Sequence, residues 1–498
     1  IKDTRLRGSI DLKYNLTEAL SIQGLAGYTY NTRDNLTYKG TLQVDQTLFQ
    51  GPAQLRNNLA ETGLLTLQMF TNYQLNLSEH QLNFVGGYSF EKEQYGFMEA
   101  FRDNFPNDVL YKLNAGSTAN MQNSGSGYEW AIQSLFGRVN YSLKNRYLFE
   151  VNARYDGSSR FPTKNRYGFF PSASAGWIIS EESFFQNDWV DFLKLRASWG
   201  SLGNQNIGNY PYQQMFNLSV PSYPLGRGSE VLQPSAAVTV APNTDITWET
   251  TTTTDIGAEI GLAGGKLDFE IDYFIKNTRD ILYNVSTSYI LGLTSSEVNA
   301  GAVQNKGWDF RIQHRNTLND FSYGISANFS VVNNKVTELA GLKQDIERGL
   351  FVGHPLQSIY GYVVDGLFVD ENDIQNYPTQ PYTAVPGEYR FKDLNGDGKV
   401  TPEHDRKVIG NQFPKYSYGL NLNARYKGFD LALLLRGLGG ANRMIISNHQ
   451  GRALYLGSNV QEWMYNNRWT SENPNPNATY PRMTTHSDGV HTWASSYW

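Results

Sequence analysis

The sequence predicts an all-β fold, a transmembrane antiparallel β-barrel with long extracellular loops. Three observations lead to this prediction. About fourteen segments alternate apolar with polar residues, their connections alternate between short and long, and aromatic residues concentrate near the segment ends. Successive side chains of a strand point to opposite faces, so each segment describes a ribbon with one apolar and one polar face.

The segment LDFEIDYFIK (267–276) shows the alternation clearly. Its odd-numbered positions are Leu267, Phe269, Ile271, Tyr273 and Ile275, and its even-numbered ones are Asp268, Glu270, Asp272, the exceptional Phe274 and Lys276. The same alternation recurs at 9–16, 64–77, 147–155, 308–315, 323–331, 418–426 and 429–437. A soluble sandwich would bury the apolar face, whereas a membrane barrel would turn it towards lipid and enclose the polar face.

The connections favour the barrel. Short links are expected at 17–19, 78–81, 144–146, 263–266, 317–320 and 427–428, and a somewhat longer turn with a helical kink is expected near 181–191. Long polar stretches lie between them, at 32–62, 96–129, 156–169, 201–248, 282–305, 333–414 and 438–498. Outer-membrane barrels place short turns on one rim and long loops on the other, whereas a Greek-key sandwich has no reason to keep that order.

The aromatic residues agree with a membrane-spanning strand. Tyr147 and Tyr155 bound one apolar face, eight residues apart, which is roughly 26 Å along a strand. A tilt near 40° reduces this to about 20 Å of height, similar to the apolar band between two aromatic girdles. Tyrosine is also simply a good strand former, but Tyr28, Tyr88 and Trp199 lie near strand ends as well. We therefore predict that the apolar face of 267–276 meets lipid and that its acids line a wet lumen.

The composition excludes several other classes of protein. A net charge of −5 argues against a strongly basic nucleic-acid binder, and the absence of cysteine excludes disulfides and thiolate metal sites. Apolar runs such as 431–435 are far shorter than the about 20 residues of a spanning helix. The sequence starts within a strand-like segment and shows no clear strand over 438–498, so we expect a fragment of a longer chain, because a membrane barrel must close.

Longer stretches resemble one family. LKLRASWGSLGNQNIGNYPY (193–212), NAGAVQNKGWDFRI (299–312) and segments 135–185, 246–262, 353–368 and 390–431 are similar, in this order, to SusC/RagA-like TonB-dependent outer-membrane transporters. The resemblance implies that residues 1–498 form part of a barrel of about 22 strands, without its N-terminal plug and last strands. It also implies that 333–414 is a long extracellular loop segment with a DxNxDG motif.

The resemblance further implies a multi-pass protein of the Gram-negative outer membrane that imports oligosaccharides, or sometimes peptides, and is not an enzyme. Its expected partners are outer-membrane lipid, a SusD-like surface lipoprotein that acts as a lid, and TonB–ExbB–ExbD acting through the missing N-terminal part. The expected assembly is a dimer of transporter–lid pairs. Neither an organic cofactor nor a nucleic acid is expected.

The segment DLNGDGKVTPEHD (393–405) predicts a possible Ca²⁺ site. Asp393, Asn395 and Asp397 have the spacing of positions 1, 3 and 5 of an EF-hand loop, and Lys399 would donate its carbonyl. Position 12 is not acidic, so Asp405, one residue further on, is the expected substitute. The alternative is an Asx-turn loop that holds no ion.

Other candidates are weaker. Asp268, Glu270 and Asp272 have roughly the spacing of a glycosidase pair, but charge is the default in a water-filled lumen. His314, His354 and His449 show no metal-type spacing and are expected to be isolated surface groups. Aromatic residues at 210–216, Tyr360, Tyr362 and 466–470 would either stack on sugars or pack loops together.

Two alternative functions stay open at this point. One is a TonB-dependent receptor for siderophores or cobalamin, with the same architecture but no lipoprotein partner. The other is a secreted soluble β-rich protein that binds or hydrolyses polysaccharide, for which Glu270 would be the residue to mutate.

Overall fold

The computed structural model describes residues 1–43, 45–218, 223–224, 232–233, 235–284, 290, 292–294, 297–444 and 461–483. The chain divides into two compact units. The first contains Ile1–Asp188, Phe192–Ile256 and Thr278–Asn299, and the second contains Trp189–Asp191, Gly257–Asn277 and Ala300–Trp498. His449 and the C-terminal segment 484–498 lie outside the described residues.

The main sheet has fourteen strands within the described ranges, ordered as in the chain. They are β1 (Lys2–Asn15), β2 (Leu20–Lys39), β3 (Gln54–Leu77), β4 (His80–Asp103), β5 (Gln122–Leu143), β6 (Tyr147–Ser158), β7 (Tyr167–Ile178), β8 (Val190–Asn204), β9 (Glu249–Leu262), β10 (Leu267–Asn284), β11 (Glu297–Leu318), β12 (Phe321–Leu339), β13 (Tyr416–Tyr426) and β14 (Phe429–Gly439). Pairing is antiparallel from β1 to β8 and from β11 to β14. The prediction of about fourteen antiparallel strands is confirmed.

The connections between these strands alternate between short and long, as predicted, with one exception. The short ones are 16–19, 78–79, 144–146, 263–266, 319–320 and 427–428. The connection 179–189 is longer than these, and it also exceeds the connection 159–166, which was expected to be long. In one of the two-residue connections, Lys427 and Gly428 both have positive φ, as a type I′ hairpin turn requires.

The long connections are shorter than the sequence predicts, because the strands continue into polar sequence. β2 runs to Lys39, β4 to Asp103 and β12 to Leu339, although these ends were expected to lie in loops. Both β3 and β4 have 24 residues, more than twice the about 10 that cross a bilayer. Outside the membrane both faces of a strand meet water, so the alternation that marks the strand in sequence is lost there.

Smaller elements lie in the connections. Two-stranded pairings join Leu42–Gln43 with Phe49–Gln50, Phe216–Asn217 with Ala237–Val238, Tyr223–Pro224 with Leu232–Gln233, Gln344–Asp345 with Leu350–Phe351, Ser358–Tyr362 with Arg406–Asn411, and Val364–Leu367 with Tyr389–Phe391. The helices are α1 (Glu371–Gln375) and α2 (Glu462–Asn466), with 3-10 turns at Leu113–Ala115, Thr163–Asn165 and Ile179–Glu181. Among the described residues no helix is long and apolar enough to cross a membrane.

One face of the sheet in the first unit exposes large apolar side chains. The strand registers place Leu12, Gly24, Met69, Tyr88, Leu135, Tyr155 and Phe169 in one row across β1 to β7. Apart from the glycine, these side chains are 40–71% exposed. A soluble sandwich would have buried this row, since it is the most apolar part of its strands.

The second unit repeats the pattern. Phe310, Phe329 and Tyr418 are register partners across β11, β12 and β13, and all three are exposed. In the segment 267–276, Asp268 and Glu270 form ion pairs with Arg315 and Arg311 of β11, at 3.5 Å and 3.1 Å. Asp268 and Glu270 therefore have ion-pair partners within the sheet.

The two buried apolar clusters lie mainly in the connections. In the first unit, Phe161, Ile207, Ile246 and Trp248 pack around Phe170, a residue of β7. In the second unit the cluster consists of Tyr362, Leu367, Tyr389, Phe391, Val400, Trp469 and Ala478. Segments 340–415 and 461–483 thus contribute to one packed body, which we call the loop module. The interval 333–414 was expected to be a long loop. It instead contains strands and a helix, and it contributes most residues of the buried cluster of the loop module.

Candidate functional site

The predicted calcium loop is a tight turn in the loop module. The Asp393 carboxylate accepts hydrogen bonds from the backbone N–H groups of Gly396 (2.7 Å) and Gly398 (2.8 Å). Asn395 donates through its amide to Asp397 at 2.9 Å, and its own side-chain oxygen accepts from the Asp397 N–H. The structure thus brings Asp393, Asn395 and Asp397 together around one turn, as their spacing predicts.

This turn favours the ionised form of Asp397. The hydrogen bond from the Asn395 amide lowers the pKa of the Asp397 carboxyl below its ordinary value of 3.8, and the bond from the Lys399 backbone N–H contributes next. Asn395, Asp397 and Lys399 are exposed, whereas Asp393 is half-buried. The exposed oxygens could therefore meet a cation from solvent.

Asp405 has a different environment from the other predicted ligands. Its side chain is fully buried, and its two oxygens accept hydrogen bonds from the backbone N–H groups of Leu394 (2.6 Å) and Thr401 (2.7 Å). The carboxylate therefore closes the loop internally by joining its two ends. No group of three or more His, Cys, Asp or Glu side chains in the described ranges could hold a metal ion. A cation at this turn would thus depend on the two carboxylates of Asp393 and Asp397, supplemented by Asn395 and main-chain carbonyls.

The loop module that supports this turn is held by buried polar contacts. Arg482 forms an ion pair with the fully buried Glu388, at 2.6 Å. Next to it Gly387 has a φ of +86°, and a Cβ there would lie 2.4 Å from the Trp469 ring, so the site requires glycine. Burial raises the pKa of Tyr377 to about 12, and the negative charge of the nearby Asp365 carboxylate is the second cause.

Most of the aromatic residues that were candidates for stacking on a ligand pack within the loops instead. The Tyr362 ring stacks on Phe391 at 4.5 Å between centroids, Tyr360 stacks on Phe351 at 4.9 Å, and Trp469 is buried in the module core. In 210–216, the Tyr210 hydroxyl bonds to the Glu129 backbone and the Tyr212 hydroxyl donates to the Ser159 carbonyl. Loop packing was one of the two roles considered for these residues.

The histidine prediction needs a correction. His314 is not isolated, because its Nδ1 lies 3.0 Å from the Lys266 carbonyl and its Nε2 lies 3.0 Å from the Tyr323 hydroxyl. Both ring nitrogens therefore have partners within the sheet.

A second cluster was not identified from the sequence. It lies in the halves of β4 and β5 that are nearer to their long connection, and we call it the Trp130 cluster: Glu93, Tyr95, Tyr128, Trp130 and Arg160. The register pairs Glu93 with Trp130 and Tyr95 with Tyr128, so these four side chains share one face of the sheet. Alternation along β5 puts Trp130 on the face of Arg138 and Asn140, opposite the exposed Leu135.

Direct contacts order the Trp130 cluster. The Trp130 indole N–H donates to Glu93 Oε1 at 3.0 Å, and the Tyr128 hydroxyl donates to the same oxygen at 3.3 Å. Tyr95 and Tyr128 stack with their centroids 4.9 Å apart. The Arg160 guanidinium lies over the Trp130 ring, 5.0 Å from its centroid.

Arg160 is fixed from the other side by the adjacent loop. It donates to the carbonyls of Gln205 and Ile207, both at 3.2 Å. Burial lowers the pKa of the Arg160 guanidinium, and the Glu93 carboxylate acts in the opposite direction. The signal that could have indicated this cluster is the run YEW (128–130) opposite EKEQY (91–95), but only the strand register brings the two together.

Comparison with known proteins gives a match over nearly the whole chain. The family described as TonB dependent receptor-like, beta-barrel matches residues 1–493. TonB-dependent receptor P3 of Formosa agariphila is 32% identical over 433 residues, which cover 83% of this chain and 43% of that protein. TonB-dependent receptor SusC of Bacteroides thetaiotaomicron is 32% identical over 328 residues, covering 61% and 31%. The chain therefore spans less than half the length of these curated relatives.

Among solved structures, the RagAB peptide transporter resembles this chain with a TM-score of 0.81 at 21% identity. The alignment covers 97% of this chain and 53% of that one. At this level of identity the likeness concerns the fold.

Proposed function

The chain belongs to the TonB-dependent receptor-like β-barrel family, and from this premise we propose that it serves energised import of oligomeric nutrients. The SusC/RagA-like resemblance and the barrel fold class predicted from the sequence are confirmed. Family members are transport proteins of the Gram-negative outer membrane rather than enzymes, so the predicted location is confirmed as well. The soluble polysaccharide-binding alternative is wrong.

The observation that best supports import of this kind is the match to SusC over 61% of the chain. We propose oligosaccharides as the main cargo and peptides as a second possible class, since the RagAB structures are of a peptide importer. We further propose a SusD-like surface lipoprotein as the lid, TonB–ExbB–ExbD as the energy source, and a dimer of transporter–lid pairs. Segment 333–414 would then face the outside medium.

Uptake by a strain that lacks the gene tests this proposal. The probes are a pool of neutral hexasaccharides (malto-, cello-, laminari- and xylohexaose) and a tryptic digest of casein. Uptake is measured as the loss of each pool from the medium. We expect slower loss of at least one pool, and the same defect in parental cells treated with a protonophore. Unchanged uptake of both pools, with impaired uptake of ferric siderophore or cobalamin, would support the alternative receptor instead.

The lipoprotein partner needs a separate measurement. Affinity purification of the full-length receptor in mild detergent should recover a surface lipoprotein in about equal amount. Recovery of the receptor alone, in several detergents, would argue against the lid.

We also propose that the loop 393–405 binds Ca²⁺ weakly, through Asp393, Asn395, Asp397 and the Lys399 carbonyl. The convergence of the first three around one turn supports this, and Asp405 would complete the site only after a rearrangement. Sites in extracellular modules typically have Kd values near 0.1–1 mM. We expect that 5 mM Ca²⁺, but not Mg²⁺, slows proteolysis of this loop, and that Asp393→Asn removes the effect. Equal cleavage with both ions would reject calcium binding.

A further inference from the structure

We propose that the Trp130 cluster is a binding site for a neutral sugar ring on the polar face of β4 and β5. The proposal deepens the import function by naming residues of this chain that would contact the cargo. It depends on that function only for its biological context, since the geometry itself indicates the ligand.

The aromatic rings of the cluster are preorganised. Each aromatic ring of the cluster is fixed by a neighbour: Trp130 by Glu93 and Arg160, and Tyr128 by Glu93 and the stacked Tyr95. The backbone behind Trp130 is held as well, because Ala131 N–H donates to the Ser159 side chain at 2.9 Å. Rings held in place bind a ligand without first losing rotamer entropy.

The cluster also leaves polar groups available for a ligand. Both hydrogen bonds that Glu93 makes within the described residues end on Oε1, which leaves Oε2 to accept from a ligand. The Tyr95 hydroxyl likewise bonds to none of the described residues. Tyr95 is only half-buried, so a ligand can reach this hydroxyl. One free acceptor and one free hydroxyl beside aromatic rings match the hydroxyls and apolar C–H faces of a sugar.

The charges of the cluster favour a neutral ligand. The cluster has one carboxylate and one guanidinium. The Nη1 atom of the guanidinium donates to two carbonyls, and the group lies over the Trp130 ring. An anionic ligand would be repelled by the Glu93 carboxylate. A cationic ligand would be repelled by the nearby guanidinium of Arg160. A neutral ligand avoids both costs.

The position is suitable for cargo contact. The cluster lies towards the ends of β4 and β5 that the long connection 104–121 joins, rather than the end with the short turn 144–146. It is also on the face opposite to the exposed apolar row, so it would meet water rather than lipid.

The test is uptake of the hexasaccharide pool by cells that carry variants of the full-length receptor. Glu93→Gln keeps the shape of the side chain but removes the charged acceptor, and Tyr95→Phe removes one hydroxyl. We expect the half-saturating concentration to rise about 10- to 100-fold for the first and about 3- to 10-fold for the second. Maximal uptake should change little.

Tyr88→Phe is the matched control, because it removes one hydroxyl from the same strand on the opposite face. Surface abundance of each variant, measured with an epitope tag, separates a folding defect from a binding defect. Wild-type half-saturation in both cluster variants, at normal abundance, would overturn the site while import itself stands.

The deletion strain makes the two failures distinguishable. If deletion slows the loss of peptides but not of hexasaccharides, the sugar assignment is wrong. If deletion slows the loss of neither pool, the proposed function has failed and the site has no cargo.

Discussion

The sheet and the loop module use apolar residues in opposite ways. In the sheet, large side chains such as Met69, Leu135 and Val151 are more than half exposed. In the loop module, Tyr389, Phe391 and Trp469 are buried against one another. Since a folded chain exposes a broad apolar face only where something other than water covers it, the difference separates a lipid-facing wall from a water-facing body.

The contrast extends to charged groups. Ion pairs along the sheet, such as Arg311 with Glu270, remain well exposed on the polar face. In the loop module Glu388 is fully buried and paired. An exposed pair contributes at most about 1 kcal/mol, whereas a buried charge that loses its partner is strongly destabilising. The two regions should therefore respond differently to charge-changing substitutions.

The largest effect is expected on the apolar face. Val151 lies midway between Tyr147 and Tyr155, so Val151→Arg would place a charge near the bilayer midplane and cost about 4 kcal/mol. The full-length receptor in outer membranes should lose its heat-modifiable mobility at a lower temperature. Asn140→Arg is the control on the polar face, where the new side chain lies opposite Glu150, and it should have little effect. Equal sensitivity at both positions would contradict the lipid-facing assignment.

A somewhat smaller effect is expected in the loop module. Arg482→Met leaves Glu388 buried without its ion-pair partner, at a cost of about 3 kcal/mol, the lower end for such pairs because Arg482 is 29% exposed. Hydrogen exchange of Tyr389–Phe391 should accelerate roughly 100-fold. The double variant Arg482→Met/Glu388→Gln should recover much of the protection.

Exchange in the sheet, for example over β6, provides the control for this variant. If β6 accelerates together with Tyr389–Phe391, the loop module does not open independently of the sheet, and the two regions form one cooperative unit.

The sequence predicts the sheet better than the loop module, for a physical reason. Alternation at Leu267–Ile275 or Tyr147–Tyr155 is visible in sequence because the part of each strand that crosses the membrane has lipid on one face and water on the other. In the module, Tyr362 and Trp469 are far apart in sequence and meet in one core, which no local pattern records. The Trp130 cluster was missed for the same reason, since Glu93 and Trp130 meet only through strand register.

The calcium loop shows an intermediate case. Its spacing predicts that Asp393, Asn395 and Asp397 converge, and in the structure they do. It does not predict that Asp405 turns inwards to close the loop, because this depends on the backbone N–H groups of Leu394 and Thr401.

The smallest expected effect concerns the pH dependence of this exposed turn. The pKa of Asp397 is lowered in the folded loop, so its carboxylate favours the folded turn above the ordinary pKa of 3.8. That contribution is lost as the pH falls through the lowered value. Pepsin cleavage at this loop, normalised to a reference peptide at each pH, should therefore increase below about pH 3.8. Asp397→Asn should flatten this dependence, whereas Asp370→Asn, in the same module but outside the turn, should preserve it. A pH dependence that survives Asp397→Asn would assign the titration to another group.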